Sequence, residues 1–180
     1  RKTPGGKFTE WLFDDKRDAS QCVTIKGPFG SFYLREKATP IVCIAGGSGL
    51  APIKSILEGG VLDQSKRDVV FLFGARTQDD LYCIKELESI KENWNKDYKF
   101  DFIPVLSMEP EDSDWKGGRG FVTDYFEEHI VKKNNMNISD WQGYLCGPPP
   151  MVDAATALLE KLGIKSNEIY FDSFTDSSNL

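Results

Sequence analysis

Ile41-Val42-Cys43-Ile44-Ala45-Gly46-Gly47-Ser48-Gly49-Leu50-Ala51-Pro52 reads as an apolar strand that breaks into glycines and restarts as a helix with a proline in its first turn. Glycines let a backbone turn sharply and approach a ligand. The helix that follows offers unpaired N–H groups and a partial positive charge to an anion. Gly46, Gly47, Ser48, Gly49 and Pro52 therefore outline a phosphate cradle, and the pyrophosphate of a dinucleotide is the expected ligand. The spacing G-G-S-G-x-x-P is not the G-x-G-x-x-G fingerprint, and strand-to-helix turns also hold glycines for packing alone. Its meaning depends on what accompanies it downstream.

Two further runs accompany it. Tyr144-Leu145-Cys146-Gly147-Pro148-Pro149-Pro150-Met151 is a buried-looking strand that ends at a thiol, a glycine and three prolines before a helix begins. Prolines there fix the backbone and remove donors, so Gly147, Pro148, Pro149 and Met151 would form a rigid ledge suited to a flat ring such as nicotinamide. A proline-rich helix start without function reads the same way. Phe73-Gly74-Ala75-Arg76-Thr77 closes another apolar strand, placing Gly74, Ala75 and Arg76 at its carboxyl end.

Around these runs the apolar pattern predicts five strands, beginning at Ile41 and spanning 68–76, 98–107, 142–146 and 168–174. Helices are expected near 51–63, 80–94, 121–131 and 149–162. Alternating strands and helices demand right-handed crossovers and a parallel sheet covered on both faces. Gly59-Gly60 inside the first of these helices costs about 1 kcal/mol per glycine relative to alanine and is expected to cap it early. Residues before Pro40 read differently: 21–26 alternates like a strand, Gly27-Pro28-Phe29-Gly30 reads as a turn and 31–34 as a returning strand. That is β-barrel material, not βαβ.

With 180 residues, 40% of them hydrophobic, the chain can bury a sizeable core. A formal net charge of -6 argues against nucleic acid as a partner, because phosphate backbones are bound by clustered Lys and Arg. No apolar run approaches the roughly 20 residues of a membrane helix, and no basic-then-apolar leader is present, so a cytoplasmic protein without a membrane partner is expected. Cys22, Cys43, Cys83 and Cys146 include no C-x-x-C pair, and no metal site is expected; the first three read as small core residues. His129, the only histidine, reads as a partly exposed residue near a helix C-terminus.

The ordered elements G-P-F-G-S-F, A-G-G-S-G-L-A-P, F-G-A-R-T-x-x-D-L, W-x-G-x-x-G-x-V and Y-L-C-G-P-P-P-M resemble the ferredoxin-NADP reductase superfamily. The ending Ile169-Tyr170-Phe171-Asp172-Ser173-Phe174 is most similar to NADH-dependent reductase components of bacterial multicomponent oxygenases, both aromatic-ring dioxygenases and methane, toluene and phenol monooxygenases. The resemblance implies the strand order 3-2-1-4-5 for a Rossmann-like α/β domain over 38–180, preceded over 1–37 by the incomplete end of a flavin-binding β-barrel. The first and fourth strands then adjoin, and Gly46–Pro52 faces Cys146–Pro150 across one crevice at the switch point. It further implies that Cys146 lies beside the nicotinamide and that Phe174 is the terminal aromatic near the flavin. Gly5, Gly6, Lys7 and Thr9 match a G-x-x-S/T segment that contacts the flavin pyrophosphate.

The family's R-x-Y-S/T flavin motif has no match, so the chain reads as a fragment, and two or three barrel strands are not expected to hold FAD tightly. The implied activity is hydride transfer from NADH to FAD, then electron release to a [2Fe-2S] centre in a further domain or a ferredoxin, and on to an oxygenase. Ser107-Met108-Glu109-Pro110-Glu111-Asp112 follows the third strand where NADPH enzymes carry a basic pair, so NADH is expected; Arg76 is the counterargument. A stand-alone flavin reductase and a non-catalytic NADH-sensing module are the alternatives. The tryptophan of the fourth element, Trp115, reads as the cover of a sheet edge or as a wall for adenosine.

Overall fold

A computed structural model describes residues 2, 4–15, 18, 20 and 22–174. These divide into two compact units, 1–31 and 32–180. In the first, Gly5 (φ 71°) and Gly6 lead into a short helix, α1 (Lys7–Leu12). The Glu10 carboxylate accepts the Gly5 N–H at 2.9 Å, and the Thr9 hydroxyl donates to the Gly6 carbonyl at 3.2 Å.

The second unit is a parallel sheet flanked by helices. Its strands are β1 (Ile41–Gly46), β2 (Val69–Ala75), β3 (Phe100–Leu106), β4 (Gly118–Arg119), β5 (Gln142–Gly147) and β6 (Ile169–Ser173), in the order β4-β3-β2-β1-β5-β6. All five pairings are parallel. The expected order is present, with one strand more than the five expected. The addition is the two-residue β4, too short for any periodicity to show: Gly118 pairs with Val105, and a Cβ on it would lie 2.9 Å from the Val105 and Tyr125 side chains. Trp115 covers this edge, its indole N–H donating to the Gly118 carbonyl at 2.9 Å.

β1 is central and every one of its residues is buried. Ile41, Cys43 and Ala45 join one apolar cluster, and Val42 and Ile44 join the other, because successive strand residues point to opposite faces. The helix α2 (Leu50–Leu62) buries Leu50, Ile53, Leu57 and Gly60, the spacing of a single helical face. On the opposite layer, α5 (Pro149–Lys161) buries Val152, Ala155, Leu158 and Leu159.

Three expectations need correction. No strand forms among the described residues of 22–34, and Gln21 lies outside them. Alternation supplies a face but not a partner, and an unpaired ladder leaves its N–H and C=O groups unsatisfied. Cys22 is exposed rather than a core residue, and Cys83 is only partly buried. The Gly59-Gly60 pair does not cap α2, which continues to Leu62. Gly60 is there for packing, since a Cβ would lie 2.5 Å from the Trp94 ring, whereas one on Gly59 would meet nothing within 4 Å. Gly59→Ala is therefore expected to raise the stability by about 0.5–1 kcal/mol, and Gly60→Ala to lower it, in urea unfolding.

Two helices also differ in detail. The third, α3, spans Ile84–Asn93; before it, Gln78–Asp80 form a tight 3-10 turn and Leu81 is extended. The helix α4 (Val122–Tyr125) continues as a π-helix over Phe126–Lys132, whose wider turn buries both Phe126 and Val131 five residues apart. His129 is exposed there, with its ring 4.5 Å from that of Tyr125.

Candidate functional site: a crevice at two strand tips

Ala45 pairs with Cys146, so the chain leaves β1 and β5 side by side. Contact between the two departing loops is closer than side chains would permit. A Cβ on Gly49 would lie 2.2 Å from the Cys146 carbonyl oxygen and 2.6 Å from the Gly147 nitrogen. One on Gly46 would meet Met151 Sδ at 2.6 Å and Pro148 Cδ at 3.2 Å. The glycines are thus required by the approach of the two loops, and that approach places the cradle beside the ledge.

Gly47 takes a left-handed φ of 53°, and it and Ser48 are exposed at the tight turn Gly47–Gly49 that opens α2. Pro52 lies in the first turn of α2. Pro148 is exposed and extended (φ -59°, ψ 139°), and Pro149 and Pro150 form the first turn of α5, where an N–H would have no helical partner. The Phe174 N–H donates to the Gly147 carbonyl at 3.1 Å, which ties the end of β6 to the same crevice; the ring is 39% exposed and so is not core.

Cys146 is fully buried, and burial, reinforced by the charge of Asp172, pushes its thiol up to about 12. The thiol is neutral at ordinary pH, which agrees with a residue that does not act as a nucleophile. Burial likewise pushes Tyr144 up to about 12 and raises the Cys43 thiol. Unfolded, such groups titrate near 8.5–10, so above that range the unfolded chain has lost protons that the folded chain keeps. Their contribution is complete below about pH 8.5 and is lost progressively as the pH rises toward about 12. Urea midpoints are expected to fall from about pH 9 upward; a flat alkaline profile would contradict the assignment.

The tips of β2 and β3 form the adjoining part. Gly74, Ala75 and Arg76 lie beside Ser107, whose N–H donates to the Ala75 carbonyl at 3.0 Å. Arg76 is engaged by Asp80, with Nε and Nη2 donating at 3.2 and 3.3 Å. Glu109 accepts from Gln78 twice, from the backbone N–H at 2.9 Å and from Nε2 at 2.7 Å, and these bonds hold its carboxyl below the usual range. The surface at these tips carries several carboxylates; Arg76 is paired with Asp80, and the Arg119 guanidinium donates to the Glu109 and Pro110 carbonyls at 3.0 and 2.9 Å.

The structure therefore gathers Gly46 to Pro52, Gly74 to Arg76, Ser107, Gly147 to Met151 and Phe174 at the carboxyl ends of one sheet. Gly5, Gly6, Lys7 and Thr9 belong to the other compact unit. Tyr82 was not marked by any motif, standing just past F-G-A-R-T-x-x-D-L. Its hydroxyl nonetheless donates to the Gly47 carbonyl at 2.8 Å. The two exposed glycine-loop residues and the ledge beside them fit a pyridine dinucleotide: one element for an anion, one for a ring.

The family model described as the oxidoreductase NAD-binding domain matches residues 43–157, more than half of the chain. The chain belongs to that family. Among relatives of this NAD-binding domain, the xylene/toluene monooxygenase electron transfer component XylA of Pseudomonas putida is 45% identical over 174 residues, covering 97% of this chain and 47% of that protein. The reductase component of the naphthalene 1,2-dioxygenase system of Pseudomonas putida, a ferredoxin–NAD(P)(+) reductase, is 33% identical over 175 residues, 97% of this chain and 50% of that protein. Among solved structures, the ferredoxin reductase in carbazole 1,9a-dioxygenase superposes with a TM-score of 0.73 at 26% identity, over 97% of this chain and 50% of that one. The resemblance to oxygenase reductases is borne out, and the chain spans about half the length of the curated relatives it matches. Among the described residues no helix is long and apolar enough to cross a membrane.

Proposed function

We propose that this chain is the NADH-binding portion of a flavin-dependent reductase that supplies electrons to an oxygenase. The observation that carries the reading is the meeting of the glycine loop and the proline ledge over adjacent strand tips. The reading assigns to bound cofactors the chemistry of hydride transfer from nicotinamide C4 to the N5 of FAD, and of single-electron release to a [2Fe-2S] centre. The chain's own residues bind and orient. Gly47 and Ser48 receive the pyrophosphate at the start of α2, Gly147 and Pro148 support the nicotinamide face, and Cys146 lies under that ledge as a neutral, packed group. Phe174 closes the crevice from β6. No general base is needed, because stacking two rings at the right distance and excluding water are the protein's tasks.

The acidic β2–β3 tips support NADH over NADPH, since a 2′-phosphate dianion would meet Glu109 and its neighbours while Arg76 is held by Asp80. Residues 1–37 are read as the end of the flavin domain, and Gly5, Gly6, Lys7 and Thr9 as its pyrophosphate contact, on the strength of the resemblance. A cytoplasmic setting fits four cysteines that are all free. Fluorescence titration of the 180-residue chain with NADH tests the reading: saturable binding competed by ADP-ribose is expected, and its absence at millimolar nucleotide would overturn it.

A further inference from the structure

The loop after β2 returns across the tip of β1. The Arg76–Asp80 pair and the tight turn Gln78–Asp80 shape it, and Cys83 takes a left-handed backbone (φ 56°) immediately before α3. Left-handed geometry is unfavourable for a side chain with a Cβ, so this turn is held by its surroundings. What it achieves is the placement of Tyr82. The ring meets Phe73 edge-on, with centroids 5.7 Å apart and planes at 85°, and the hydroxyl donates to the Gly47 carbonyl at 2.8 Å. That carbonyl also accepts a backbone N–H from the turn opening α2, so both of its lone-pair directions are used.

A trans peptide is planar, and the N–H of one residue points opposite to the C=O of the residue before it. Two bonds to the Gly47 oxygen therefore fix the direction of the Ser48 N–H. Gly47 alone would not hold that plane, because glycine has little preference between the two hands of backbone. We infer that Tyr82 is a positioning residue for the dinucleotide: its hydroxyl locks the Gly47–Ser48 peptide so that the N–H of Ser48, an exposed residue, is presented to the pyrophosphate. The inference rests on the functional reading above and adds a residue that does not itself touch the ligand's reacting atoms.

Tyr82→Phe keeps the ring on Phe73 and removes only the donor. In the 180-residue chain, NMR titrations with adenosine and with ADP-ribose separate the two halves of recognition. ADP-ribose affinity is expected to fall roughly five- to tenfold, the scale of one lost hydrogen bond. Adenosine affinity and the melting temperature are expected to stay near those of the unsubstituted chain. Equal weakening of both ligands would reveal a general structural effect, and unchanged ADP-ribose binding would show an idle hydroxyl; either result overturns the inference. Failure of the unsubstituted chain to bind ADP-ribose would overturn the functional reading itself, and this inference with it.

Discussion

Gly49→Ala is expected to lower the stability of the chain by about 2–3 kcal/mol and to weaken NADH binding far more than any neighbouring substitution. The added Cβ would lie 2.2 Å from the Cys146 carbonyl oxygen and 2.4 Å from its carbon, both backbone atoms at the end of a buried strand. A flexible side chain could rotate away, but β5 is held by β1 on one side and β6 on the other, so the glycine loop must move instead. A shift near 1 Å at a positioning loop is worth about a hundredfold in reactions that depend on ring alignment. Gly47→Ala is the contrasting case. Its Cβ would meet nothing within 4 Å, and only the left-handed φ of 53° is strained, at about 1 kcal/mol. Thermal unfolding and NADH titration of the two variants distinguish these causes. Equal behaviour of the pair would mean that close approach of the loops is not what the glycine provides.

The second large effect concerns which nucleotide is accepted. Glu109→Lys is expected to narrow the preference for NADH over NADPH about tenfold at low salt, and less at high salt, because charge inversion near an exposed dianion acts through a screened Coulomb interaction. Glu109→Gln removes the charge while leaving an acceptor for Gln78, and should give an intermediate ratio. Dissociation constants for both nucleotides at two ionic strengths check this. A ratio indifferent to all three side chains would place the 2′-position of the ribose away from the β2–β3 tips. Arg76 lies at the same tips with its guanidinium occupied by Asp80 at 3.2 Å, so its substitution is then expected to leave the ratio unchanged as well.

Much of this site was legible in residue order. Apolar runs of strand length alternating with helical stretches dictate a parallel sheet, because each strand must cross over a helix to pair with the same polarity. The glycine run after Ala45 and the prolines after Gly147 are local signals, since their backbone preferences act within a few residues. The acidic run after Ser107 is equally local. Arg76 reads as the counterargument to NADH, and its pairing with Asp80 four residues on is the kind of contact that residue type allows but does not require.

Other features depend on partners distant in the chain. The alternation in 22–26 names a face but finds no ladder among the described residues, and β4 has too few residues to show a period. Gly60 carries the mark of a helix breaker, yet its function is to admit the Trp94 ring, 34 positions away and visible only once α2 and the end of α3 are packed. Tyr82 reads as an ordinary aromatic until the loop after β2 brings it to Gly47.

Chain order by itself determined the parallel α/β architecture and the two loops at the strand ends, because periodicity and the backbone limits of glycine and proline are properties of short segments. Only the tertiary structure decided which atoms those loops press against. Gly49 meets the Cys146 carbonyl, Tyr82 holds Gly47 and Asp80 occupies Arg76, because close contact between remote segments depends on how twisted strands and packed helices bring them together in space.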